Sequence, residues 1–150
     1  MTDRASFDNR IVAEARRWIG TPYQHQASCQ GAGADCLGLI RGVWRAIYGC
    51  EPVAVPAYTP DWAEISGDEV MLAEAAAHCG SVPQYAMRAG DLLVFRMRRA
   101  AVAKHLGILA GRPEGWSVIH AYSGRAVAES ALGPAWRRRI AGVFRFPDSA

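Results

Sequence analysis

The chain changes its hydrophobic rhythm at about residue 90, and that change most constrains the fold. Before it, apolar residues recur every three or four positions; after it, they come in short runs separated by turn residues. Ile11, Val12, Ala15, Trp18 and Ile19 lie at helical spacing, with Asp8 as the expected N-cap and Gly20 and Pro22 as stops. A second helix starts at Asp35, carries Leu39, Ile40, Val43, Trp44 and Ile47 on one stripe, and ends at Gly49. Gly38 and Gly42 lie four apart on this helix and cost about 1 kcal/mol each against Ala, which predicts close approach of another backbone. From Gly90-Asp91 onward the runs 92–97, 105–110, 116–122, 127–131 and 140–146 read as strands, with 111–115 as a turn. Helices followed by strands, rather than alternating with them, predict an α+β fold with an antiparallel sheet of about five strands.

The middle of the chain is less regular. Residues 24–34 read as a loop. Pro52, Pro56 and Pro60 predict an extended connection over 51–62, and Ser66 with Glu69 resembles a capping box for a short helix to about His78. With 150 residues, 51% of them apolar, the chain suffices for one domain with a sizeable core over 1–150. No run of 18 apolar residues is present, so a membrane span is not expected, and residues 1–6 lack the pattern of a secretory signal. The net charge of +3 owes much to Arg96, Arg98, Arg99 and Arg137-Arg138-Arg139. Such a run is usually a solvated face; it predicts no specific nucleic-acid partner and suits a polyanionic surface equally well. Cys29, Cys36, Cys50 and Cys79 are too few for a disulfide scaffold and lack zinc-ribbon spacing.

Cys36 is the candidate with chemistry attached. In the first turn of a helix capped by Asp35, unpaired amides and the helix dipole should lower its pKa from about 8.5. The same amides suit an oxyanion. A nucleophilic thiol also needs an imidazole. His105 begins an otherwise apolar strand, and His120 lies on the next. A hairpin centred between Arg112 and Pro113 pairs residues whose numbers sum to 225, which sets His105 opposite His120 on one face. His120 would then orient His105. Zinc binding by Cys36, His105 and His120 with Cys29 or His25 is the competing reading, and a Cys29–Cys36 redox pair is a poorer one; no cofactor or metal is expected. Tyr23, after Gly20-Thr21-Pro22, either offers a phenolic donor or packs.

Five segments occur in an order that resembles the NlpC family of papain-like cell-wall cysteine peptidases: Gly20-Thr21-Pro22-Tyr23, Asp35-Cys36-Leu37-Gly38-Leu39, Gly90-Asp91-Leu92-Leu93-Val94-Phe95, His105-Leu106-Gly107-Ile108 and Val118-Ile119-His120-Ala121. Leu37–Trp44 and Ala135–Ile140 further resemble the phage-tail and gene-transfer-agent subgroup. The resemblance implies the papain-like fold, Cys36 as nucleophile, His105 as base and His120 as third member. It implies Tyr23 and Asp35 as substrate-binding residues, Asp35 meeting a free amine. It also implies cleavage of peptidoglycan stem peptides between D-γ-glutamate and a diamino acid. The subgroup implies synthesis in the cytoplasm, tail hub or baseplate partners, and action at the cell wall. Leu37 stands where many members carry Ser, which bears on specificity. Two other roles fit the same residues: a structural tail component that keeps the fold, and an amidase or acyltransferase on a non-wall substrate.

Overall fold

The computed structural model describes residues 3–51, 69–122 and 124–148. The expected connection over 51–62, apart from Glu51, and the Ser66 end of the capping box lie outside them. Helix α1 (Arg4–Arg16) starts a turn earlier than the Asp8 cap implied. Phe7 joins Ile11 and Ala15 on the buried face, and Asp8 is not a cap but a buried carboxylate bridging Arg4 and Arg88, each at 2.9 Å. Ile19, grouped with that stripe from spacing, is 44% exposed because the helix ends before it. The 24–34 loop holds a two-stranded hairpin, β1 (Ser28–Cys29) with β2 (Gly33–Ala34).

Helix α2 (Cys36–Tyr48) matches its expected limits, with Asp35 as N-cap and Gly49 closing it at φ 87°. Its glycines have separate partners. A Cβ on Gly38 would sit 1.8 Å from the carbonyl oxygen of Ala27, the backbone approach expected. One on Gly42 would sit 1.9 Å from the Trp18 indole, so there the neighbour is a side chain instead. Helix α3 (Val70–His78) follows; Glu69 does not cap it by side chain but pairs with Arg96 at 2.7 Å.

The second half forms a six-stranded antiparallel sheet in the order β3-β8-β4-β5-β6-β7. Its strands are β3 (Gly80–Val82), β4 (Leu92–Phe95), β5 (His105–Arg112), β6 (Gly115–His120), β7 (Ala128–Ala131) and β8 (Ile140–Arg145). The α+β class is as expected, with six strands rather than about five. The extra one, β3, is a three-residue edge strand with no fully buried residue and thus no alternation to read. Helix α4 (Pro134–Arg138) was also unexpected; Pro134 takes its first turn, where a missing N–H is harmless.

Side-chain alternation splits the core in two. Leu92, Val94, Leu106, Ile108, Ile119 and Phe144 face α1 and α2. Leu93, Phe95, Leu109, Val118 and Val143 face the other way, where Leu132 and Trp136 cover them. Both faces are buried, so the central strands read as continuous apolar runs. Among the described residues no helix is long and apolar enough to cross a membrane.

Candidate active site

Asp35 ties the start of α2 to the loop before it. Its Oδ1 accepts from the Gly38 amide at 2.7 Å, a standard cap, and its Oδ2 accepts from the Gln26 amide at 2.8 Å. The second bond holds Gln26 at φ 65°, in the left-handed region. Ser28 adds a hydroxyl bond to the Gly38 carbonyl at 2.6 Å, and Arg45 one to the Ser28 carbonyl at 2.8 Å. With Gly38 seated on Ala27, these contacts hold the helix terminus, and Cys36 with it, against the β1–β2 loop. Cys36 points its sulfur at β5. The thiol donates to the carbonyl of Lys104 at 3.9 Å, while the Leu106 amide also points at the sulfur. Its partners are therefore the main chain on both sides of His105, not a ring nitrogen.

The two imidazoles meet directly: His105 Nε2 lies 2.8 Å from His120 Nδ1. The register differs from the expected one. Ile108 pairs with Ile119 and Arg112 with Gly115, so paired numbers sum to 227 and the turn is the two residues Pro113-Glu114. His120 is thus diagonal to His105 rather than opposite. A shift of one residue on each strand preserves parity, so both rings remain on the Phe95 face and still touch. The position that continues the register across from His120 is Gly107. A Cβ there would lie 3.3 Å from that of His120 and 2.5 Å from Val118 Cγ2.

Three aromatic residues that the sequence reading did not single out enclose this pair. Trp136 of α4 stands 5.1 Å from the His120 ring and 5.8 Å from that of His105, centroid to centroid. Tyr122 stacks on His120 at 5.9 Å, and Phe95 lies 5.6 Å from His105. Phe95 was legible as a strand residue, and its pairing with His105 is the link. Trp136 reaches the site through α4, which no periodicity announced.

Burial sets the charge states. His105 is pushed down to about 3, by burial first and by His120 second; burial alone takes His120 down to about 4. Both rings are therefore neutral near pH 7. Burial also drives the Cys36 thiol up to about 12, with the Asp35 carboxylate adding to the rise; the amides of Leu106, Leu37 and Cys36 pull the other way. This corrects the expectation of a lowered thiol: the helix terminus does favour the thiolate, but desolvation and Asp35 outweigh it. Tyr23 is half-buried, bridges by main chain to Ala34, and is raised by burial and then by Cys36 and Asp35. It therefore sits beside the thiol, as its position in the sequence implied. Asp35 is buried, its oxygens given to two amides with His25 Nδ1 3.6 Å away.

Leu37 turns from the thiol into an apolar cavity of 130 Å³, shared with Ile40, Trp44, Met71, Leu92 and Leu106. All four cysteines are free thiols, and among the described residues no three His, Cys, Asp or Glu side chains are grouped to hold a metal.

The model of the NlpC/P60 family matches residues 20–145, a span containing Tyr23, Asp35, Cys36 and both histidines. The chain belongs to the NlpC/P60 family. It is 30% identical over 147 residues to the gamma-DL-glutamyl hydrolase of Bacillus subtilis, and spans 31% of that protein's length. The NlpC/p60 domain of the peptidoglycan hydrolase SagA superposes with a TM-score of 0.63 at 23% identity, covering 93% of this chain and 98% of that one. The peptidoglycan hydrolase RipB of Mycobacterium tuberculosis gives 0.60 at 17% identity, covering 96% of this chain and 68% of that one. Both structures share the fold, and each of these relatives is named as a hydrolase.

Proposed function

We propose that this NlpC/P60 domain is a thiol endopeptidase that hydrolyses peptidoglycan stem peptides at the bond between D-γ-glutamate and a diamino acid. The observation that carries the reading is the thiol at a helix terminus, held against the main chain that flanks an imidazole already bonded to a second imidazole. In this mechanism His105 carries its proton on Nε2 and donates it to Nδ1 of His120, which leaves Nδ1 of His105 as the base. His120 then carries its own proton on Nε2. Both groups start neutral, so the thiol first turns from the Lys104 carbonyl and passes its proton to His105 as Sγ attacks the scissile carbonyl carbon. Amides at the start of α2 receive the oxyanion. The C–N bond breaks, His105 returns the proton to the leaving amine, and water hydrolyses the thioester by the same route. His120 accepts the Nε2 hydrogen bond throughout, which stabilises the transient imidazolium. Tyr23 supplies a phenolic donor to the substrate. Asp35 meets a free substrate amine while it caps the helix.

The resemblance of 37–44 and 135–140 to phage-tail peptidases supports carriage in a tail particle and action at the cell wall. Mass spectrometry of purified muropeptides after incubation tests the enzyme reading. Cleavage by the wild type and none by a folded Cys36→Ala protein is expected; equal cleavage by both removes Cys36 as nucleophile. Sedimentation of the protein with tail particles tests the delivery role.

A further inference from the structure

Excess positive charge gathers at the end of the sheet where the thiol and imidazoles lie. The β4–β5 connection carries Arg98 and Arg99 and ends at Lys104, whose carbonyl takes the thiol bond. Arg125 lies on the β6–β7 connection at the same end, beyond His120. Helix α4 crosses the outer face and brings Arg137, Arg138 and Arg139 there. The Arg96 amide bonds the Arg139 carbonyl at 2.7 Å, which joins the two basic segments. The Arg139 guanidinium lies 5.4 Å from the centre of the Trp136 ring, and that ring covers both imidazoles. Among the described residues, Glu69 pairs with Arg96 of this connection and accepts from the Ala103 amide. None of the six arginines forms an ion pair among the described residues, and all but Arg139 are exposed. Their six charges exceed the chain's net charge of +3, so the rest of the molecule is balanced or slightly acidic.

We infer that this rim binds an acidic substrate strand, a polypeptide carrying ionised carboxylates on several residues beyond the two at the scissile bond. The inference rests on the reading of Cys36 as nucleophile only for where the strand is cut, not for its binding. The β4–β5 connection, the β6–β7 connection and α4 lie at the end of the sheet where β5 begins and β6 ends, so their guanidinium groups can meet successive carboxylates along an extended chain. Arginine forks suit carboxylates geometrically, and the contacts are exposed enough to be screened by salt. A compact neutral peptide would engage none of them.

Fluorescence anisotropy with a labelled ten-residue γ-linked glutamate oligomer and the Cys36→Ala protein tests this without turnover. Binding should weaken steeply between 50 and 300 mM salt. It should fall more than about tenfold in an Arg98→Gln/Arg99→Gln/Arg137→Gln/Arg138→Gln variant, since each exposed charge contact contributes about two- to fivefold. The control Arg17→Gln, at the residue after α1, should bind normally. Unchanged binding in the quadruple variant, equal binding of a glutamine decamer, or tighter binding of duplex DNA of equal charge overturns the inference. Loss of muropeptide cleavage in Cys36→Ala leaves it standing, because the two readouts are separate.

Discussion

Acidification from pH 6.5 to 4.5 should destabilise the fold by about 5 kcal/mol through His105 and His120. Both rings are almost wholly buried, and their folded values lie at about 3 and about 4 against the ordinary 6.5. Because these values are depressed, the unfolded chain takes up the two protons first as pH falls. Stability is thus full above pH 6.5 and declines toward the folded values. Each ring contributes about 1.36 kcal/mol per pH unit, so two rings over two units give about 5 kcal/mol, a large part of a typical domain's stability. The interval lies mostly above the carboxylate range. Glu129, held down at about 2 by its bonds to Arg16 and Ser117, contributes stability that is lost only from about 4.5 downward. Urea unfolding followed by tryptophan fluorescence, at half-unit steps, measures the slope directly. A His105→Gln/His120→Gln variant should lose most of it, whatever its absolute stability. A flat wild-type profile, or one parallel to that of the double variant, would refute the assignment of two neutral buried rings.

Other outcomes follow from the same geometry. Asp35→Asn should lower the Cys36 thiol pKa, because the Asp35 carboxylate raises it, while keeping the helix cap and losing the oxygen that accepts from the Gln26 amide, at about 1 kcal/mol; thiol alkylation rate against pH reads the first and thermal unfolding the second. Trp136→Ala opens the imidazole pair to water, so NMR titration should find both rings shifted upward toward 6.5 and the acid limb of activity moved with them. Gly42→Ala drives a methyl group into the Trp18 ring and should cost about 1–3 kcal/mol in urea unfolding, with little change in the pH profile.

The split between helical and strand-like halves came through from residue order alone, because each element buries apolar side chains at its own period. So did α2, whose carboxylate cap and left-handed Gly49 are local devices. Elements without a local signature escaped: β3 is short and on an edge, and α4 is five residues long. Asp8 shows the opposite failure. It has a cap's chemistry, yet Arg88, eighty residues away, gives it a buried partner inside the helix.

At the candidate site the residues themselves were visible: a thiol after an N-cap and two histidines of matching parity on successive strands. Parity survives a register error of one residue per strand, which is why the pair was found although its turn was misjudged. The charge states were not visible, since pKa depends on how much water remains, and water is excluded by side chains distant in sequence. Trp136 covers both rings, while packing against β5 raises the thiol that the helix dipole alone would lower. Residue types and spacing determined that the two imidazoles meet; only the packed structure decided that they meet dry and that the thiol rests on main chain, because desolvation is a property of the whole enclosing shell.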